Sequence, residues 1–127
     1  MKTLRKSLGD WGENEACEYL EGLGHVILDR NWRGGHLELD IVSYDGKGLH
    51  FVEVKSRTAP FSAAPEESVD SVKRKRMCAA ALKYVRDDKN GRFPRDAEMF
   101  FDVVTVVFDG DGRTVNYYPQ AFLPIYV

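Results

Sequence analysis

A chain of 127 residues, 43% hydrophobic and 30% charged, has the size and make-up of one soluble globular domain with one core. Its formal net charge of −2 argues against a protein that coats nucleic acid by bulk charge, while leaving room for a local basic face, since active-site carboxylates would lower the sum. Cys17 and Cys78 stand far apart and outside any Cys-x-x-Cys pattern, which argues against a zinc site or a disulfide framework. No apolar run is long enough for a bilayer and none follows residues 1–6, so a cytoplasmic protein without membrane association is expected.

Residues 8–23 carry helical spacing, with Ser7 or Asp10 as the cap and Gly22 and Gly24 as the stop. Trp11, Ala16, Tyr19, Leu20 and Leu23 supply most of the apolar stripe. Residues 26–28 read as a short strand, and Gly34-Gly35 as a bend. Residues 37–44 alternate, with Leu37, Leu39 and Ile41 facing one way and Glu38, Asp40 and Val42 the other. Asp45-Gly46-Lys47-Gly48 is a turn into a strand over residues 49–56, which closes a β-hairpin. Residues 58–65 read as a loop. A second helix is predicted over residues 70–88, capped by Asp70 or Ser68 and stopped at Asn90-Gly91. Residues 102–108 form a β-branched, buried strand, and Asp109-Gly110-Asp111-Gly112 turns into a last strand near residues 114–118. With no repeat, low-complexity tract or linker, the order predicts a single domain over residues 1–127, an α/β fold with a mixed central sheet flanked by helices.

The hairpin concentrates the chemistry. If its loop is symmetric about Gly46-Lys47, paired residue numbers share one sum: Val42 faces Phe51, Asp40 faces Glu53, and Glu38 faces Lys55. Opposed side chains share a face with Cβ atoms about 4.5–5.5 Å apart, where two carboxylates destabilise the sheet. A divalent cation removes that conflict, and Mg²⁺ suits a few carboxylate oxygens plus water and substrate phosphate. Lys55 points to the same face as Glu53 and can hold a water or stabilise developing charge. Glu13 shares the core-facing side of the first helix with Ala16, Cys17 and Leu20, where a carboxylate needs a partner. Lys73 opens the stripe of Met77, Ala80, Ala81 and Tyr84 on the second helix, in the basic run Lys73-Arg74-Lys75-Arg76. With Arg30, Arg33 and Arg57 beside the hairpin, Lys73 and Arg76 are candidate phosphate contacts.

Asp40, a dozen residues, then Glu53-x-Lys55 resembles the PD-(D/E)xK nuclease superfamily. The wider pattern resembles the YraN-like family of small bacterial proteins: Gly9-Asp10-Trp11-Gly12-Glu13 with Ala16 and Tyr19-Leu20, then Asn31-Trp32-Arg33, Glu38-Leu39-Asp40-Ile41-Val42, Phe51 to Arg57, Lys73, Phe101-Asp102-Val103-Val104 and Ala121-Phe122. That family is similar in its motifs to archaeal Holliday-junction resolvases. The resemblance implies a restriction-endonuclease-like core, metal binding by Asp40 and Glu53, a catalytic role for Lys55 and an auxiliary carboxylate at Glu13. The chain departs from the family where Leu37 replaces the usual glycine before the Glu-x-Asp element.

Plainer readings stand beside these. The charged strand residues also suit a solvated sheet face, Glu13 a helix start, and Glu38 a partner for Lys55. The basic run suits a solvated helix face. His25, His36 and His50 are isolated; His36 lies near the proposed site and can contact a phosphate, but a turn or surface histidine is the simpler reading. Trp11 and Trp32 fit a core better than a stacking platform. The expected function is Mg²⁺-dependent hydrolysis of DNA, with Mn²⁺ as an alternative ion, on branched or structured DNA. Cutting two strands suits a homodimer. The alternatives are a non-catalytic nucleic-acid-binding module and a protein-interaction domain.

Overall fold

The computed structural model describes residues 4–59 and 71–123, with side chains from residue 7 onward. Within them the chain runs α1 (Leu4–Gly22), β1 (Val26–Gly34), β2 (Leu37–Tyr44), β3 (Gly48–Thr58), α2 (Ser71–Asp87), β4 (Glu98–Asp109) and β5 (Gly112–Phe122). The five strands form one sheet in sequence order. Short turns make β1–β2, β2–β3 and β4–β5 antiparallel, whereas the connection containing α2 sets β4 parallel to β3. This is the expected α/β fold with a mixed sheet and flanking helices, consistent with a restriction-endonuclease-like core. No helix among the described residues is long and apolar enough to cross a membrane.

Strand alternation splits the core in two. On one face Leu39, Val42, Phe51, Phe101 and Val103 pack against Met77, Ala80, Ala81 and Tyr84 of α2. Phe51 and Phe101 stack there with ring centroids 5.5 Å apart. On the other face Ile41, Val52, Val104 and Val106 pack against Ala16, Cys17 and Leu20 of α1. A sheet apolar on both faces explains why β3 and β4 read as nearly continuous hydrophobic runs. Both cysteines are free and buried, as an inert thiol should be.

Gly12 sets how closely α1 approaches the sheet. A Cβ there would stand 1.8 Å from Ser56 Oγ and 2.9 Å from Ser56 Cβ. Gly→Ala inside a helix normally stabilises by about 1 kcal/mol, so the clash decides the sign. Gly12→Ala is expected to cost about 1–3 kcal/mol net and to lower the melting temperature by several degrees, with Ser56→Gly in the same chain recovering part of the loss. An unchanged melting temperature by circular dichroism would contradict the close approach.

Several local expectations change. Helix α1 begins at Leu4, so Ser7 and Asp10 lie inside it and cap nothing at its start. Its buried stripe is narrower than the spacing suggests: Ala16 and Leu20 are fully buried, whereas Trp11, Tyr19 and Leu23 are exposed. Trp11 instead stands edge-on to Phe108 of β4. Strand β1 continues through Trp32, which packs edge-on to Tyr84 in the α2-side core. The expected cap of α2 at Asp70 or Ser68, and most of the expected loop after Thr58, lie outside the described residues.

Candidate functional site

The β2–β3 hairpin turns through Asp45 to Gly48, where Asp45 Oδ1 accepts from the backbone N–H groups of Lys47 (3.0 Å) and Gly48 (3.1 Å). Gly46 takes the left-handed backbone (φ 87°) that such a turn needs. This loop sets the register: Tyr44 pairs with Leu49, Val42 with Phe51 and Ile41 with Val52. The same sum would put Asp40 opposite Glu53, but the ladder stops at Ile41↔Val52. There Asp40 Oδ2 takes the Val54 N–H at 2.9 Å, satisfying a backbone donor that the missing ladder leaves over. Facing also slips around this point. Leu39 joins the α2-side core with Val42, whereas Ile41 joins the α1-side core, so Leu37, Leu39 and Ile41 do not share one face as their spacing suggests.

Because the strands part here, Asp40 and Glu53 line hollows on both sides of the sheet. One also holds His36, Glu38, Lys73 and Arg76; the other holds Gly9, Glu13 and Ser56. The Asp40 carboxyl is pushed up to about 7, first by burial and then by the Glu53 charge, with the Val54 N–H pulling the other way. Glu53 is buried, and its Oε1 meets Lys73 Nζ at 2.6 Å and Lys55 Nζ at 3.4 Å. Burial strips water from the Lys73 ammonium, but its bond to Glu53 and the nearby carboxylates hold its pKa above the ordinary lysine range.

Glu13 reaches this region from α1. Burial raises its pKa against opposing pulls from Asn31 and Arg30, and its charge bears in turn on Asp40. Its Oε1 is buried and has no hydrogen-bond partner among the described residues; the Arg30 Nη2 ion-pair contact is at 3.9 Å. A buried, unsatisfied carboxylate oxygen is costly unless something else occupies its lone pairs.

Asn31 belongs to the site as well, a role the sequence reading missed. The pairs Arg30↔Ile41 and Trp32↔Leu39 place it opposite Asp40. Its φ of 51° is left-handed, an uncommon state that asparagine tolerates better than most residues. From there it pulls the Glu13 pKa down against the effect of burial. The available signal was an asparagine inside an otherwise extended segment.

The remaining candidates separate. Arg76 lines the same hollow as Lys73. Arg33 is largely exposed and pairs with Glu38 at 3.3 Å, so Glu38 is not the expected partner of Lys55; beyond Ile41 its neighbour is β1, not β3. Arg57 Nη1 donates to the Ser56 carbonyl at 2.9 Å near the end of β3.

The candidate donors are therefore all oxygen: Asp40 and Glu53 line both hollows and Glu13 one of them, although the three do not bring one oxygen each within 4.8 Å of one another. Hard divalent cations such as Mg²⁺ and Mn²⁺ prefer such donors, and the unsatisfied Glu13 oxygen fits that use.

Comparison with known proteins gives a consistent family signal. A sequence model of the uncharacterised protein family UPF0102 matches residues 12–106, a span that includes Glu13, Asp40, Glu53, Lys55 and Lys73. A UPF0102 protein of Bacteroides thetaiotaomicron is 42% identical over 117 residues, covering 92% of this chain and 93% of that protein. One from Geobacter metallireducens is 38% identical over 122 residues, covering 96% and 97%. A solved structure of Pyrococcus furiosus SfsA in complex with Ca²⁺ is 21% identical and covers 96% of this chain and 63% of that one, with a TM-score of 0.36. At that score the likeness carries no argument about fold or chemistry.

Proposed function

The chain belongs to the uncharacterised protein family UPF0102, and from that premise we propose that it is a Mg²⁺- or Mn²⁺-dependent endonuclease that hydrolyses phosphodiesters in branched or otherwise structured DNA. The observation that carries this reading is the fork between β2 and β3. It sets a half-buried carboxylate, Asp40, beside a buried one, Glu53, with a lysine on the latter and an unsatisfied Glu13 oxygen nearby. A fold needing only stability gains nothing from that conflict of charge.

Asp40 and Glu53 would hold the ion, with Glu13 supporting it. When bound, the divalent ion supplies Lewis-acid stabilisation of the charge that builds on the phosphoryl oxygens. Lys55 donates from Nζ to the attacking water or to a phosphoryl oxygen, which orients the nucleophile and offsets developing negative charge. Lys73 and Arg76, beside the carboxylates, and Arg33 and Arg57, at the flanks, contact DNA phosphates and position the strand without reading bases. Incision of both strands of a junction calls for two copies of the site, so the form acting on such DNA is a homodimer.

The alternative is a non-catalytic nucleic-acid-binding module. The observation in its favour is the Lys73 ammonium, which at 2.6 Å already neutralises Glu53.

The test is incubation of the full chain with single-stranded, duplex, flap and four-way-junction DNA in Mg²⁺ or Mn²⁺. The proposal expects chelator-sensitive cutting, fastest on a branched substrate. Metal-dependent cutting fastest on plain duplex would overturn the substrate assignment. DNA binding without cutting on any substrate would favour the alternative.

A further inference from the structure

A second cluster of metal-ligand side chains lies away from the fork. His25 follows α1, Asp45 begins the β2–β3 turn and His50 sits on β3. One donor atom from each lies within 4.8 Å of the other two. His50 Nε2 is 3.0 Å from Asp45 Oδ2, and His25 Nε2 is 3.9 Å from the same oxygen. His50 and Glu53 are three residues apart, about 10 Å along the strand. Their side chains point to opposite faces by alternation, so this cluster is on the α1 side.

The outer contacts leave both Nε2 atoms facing Asp45. His25 Nδ1 bonds Ser43 Oγ at 2.8 Å, and His50 Nδ1 bonds Asp102 Oδ2 at 2.6 Å. Asp102 is fully buried and is itself held by the Tyr117 hydroxyl (2.6 Å) and the Gln120 N–H (2.8 Å). Metal-ligating histidines are usually held in this way, with the second ring nitrogen on a carboxylate or another oxygen. The His50 side chain is 8% exposed, and among the described residues its buried Nε2 meets only Asp45 Oδ2, in an ion-pair contact at 3.0 Å without good hydrogen-bond geometry, so a cation held between the two would satisfy both atoms. Tetrahedral ligands about 2.0–2.1 Å from one ion lie roughly 3.3 Å apart, a value between the 3.0 and 3.9 Å that separate Asp45 Oδ2 from the two Nε2 atoms.

We infer that His25, Asp45 and His50 form a binding site for a borderline divalent transition ion of the Zn²⁺ class, with a fourth position left for water. Two imidazoles and one carboxylate suit Zn²⁺ better than Mg²⁺, which separates this site from the all-oxygen fork. Its effect is structural: the ion ties the end of α1 to the hairpin turn. Asp45, 19% exposed, provides the way in.

The test is calorimetric titration of the chelator-stripped full chain with Zn²⁺ in excess Mg²⁺, alongside the visible spectrum of the Co²⁺-loaded protein. The inference expects one equivalent of Zn²⁺, a higher melting temperature with Zn²⁺, and a four-coordinate Co²⁺ spectrum. His25→Gln and Asp45→Asn should each weaken binding by more than the ~10–100-fold that loss of an outer contact costs. Asp40→Asn should leave Zn²⁺ binding unchanged, so failure here is distinct from failure at the fork. Asp45→Asn can still accept from Lys47 and Gly48, which protects the turn if His25→Gln misfolds. A folded wild type that takes up no Zn²⁺ would overturn the inference. So would affinity unaffected by Asp45→Asn, with His50 then serving only as a hydrogen-bonded bridge between Asp45 and Asp102.

Discussion

Asp40→Asn is expected to slow metal-dependent DNA cleavage by about three orders of magnitude, roughly 4 kcal/mol of barrier, and yet to stabilise the metal-free protein at pH 8. Both effects follow from the same carboxylate. The amide that replaces it keeps an oxygen for the Val54 N–H but loses the charge that a cation needs. The stability effect follows from the raised pKa. Asp40 titrates near the ordinary 3.8 when unfolded and at about 7 when folded. Between those values the unfolded chain has lost the proton and the folded one has kept it, so stability falls as pH rises through the window. The penalty is complete above about pH 7 and absent below about pH 4. Asp40→Asn should therefore raise the metal-free melting temperature at pH 8, with the gain shrinking towards pH 4. Melting curves in chelator across that range check it, and a lower melting temperature at pH 8 would contradict the conflict of charge between Asp40 and Glu53.

Lys55→Ala is expected to lower the single-turnover cleavage rate by about 100- to 1,000-fold, the scale for removing one preorganised charged donor, while leaving DNA affinity within a few-fold. Lys55 is nearly buried, and its Nζ lies 3.4 Å from Glu53 Oε1. It has little surface to offer as a phosphate clamp but is well placed to act on a water at the carboxylates. Lys73→Ala should behave differently. Its side chain is 43% exposed at the mouth of the hollow, so weaker DNA binding with a smaller salt dependence is expected, because one phosphate contact is lost. Cleavage rates with enzyme in excess separate the two, and a pure affinity loss in Lys55→Ala would move Lys55 into the binding surface.

The features legible in the sequence were those set by local rules. The turn Asp45 to Gly48 and the alternation around it were enough to place Val42 against Phe51, and that pairing is present. The β-branched run of β4 and the apolar rows of α2 showed in composition alone. What failed was non-local. No propensity shows that β2 pairs with β3 only from Ile41 onward, where the side chain of Asp40, not a strand partner, takes the Val54 N–H. Spacing alone did not give the width of the α1 stripe: Gly12 meets the sheet at Ser56, while Trp11 and Tyr19 stay exposed. Pairing Glu38 with Lys55 requires the ladder to continue past Ile41; it does not, and Glu38 pairs with Arg33. His25 and His50 carried no signal singly, since only the return of the hairpin past the end of α1 brings their rings to 4.5 Å.

The fork between β2 and β3 is where the proposed chemistry stands or falls. The most direct measurement is Mg²⁺-initiated, single-turnover cleavage of an end-labelled four-way junction, with wild-type protein in excess at a concentration that shifts all the DNA in chelator. The account predicts product that forms only after Mg²⁺ is added and vanishes in Asp40→Asn. Fully bound DNA that stays intact in Mg²⁺ and Mn²⁺, or cutting that persists in Asp40→Asn, would contradict it.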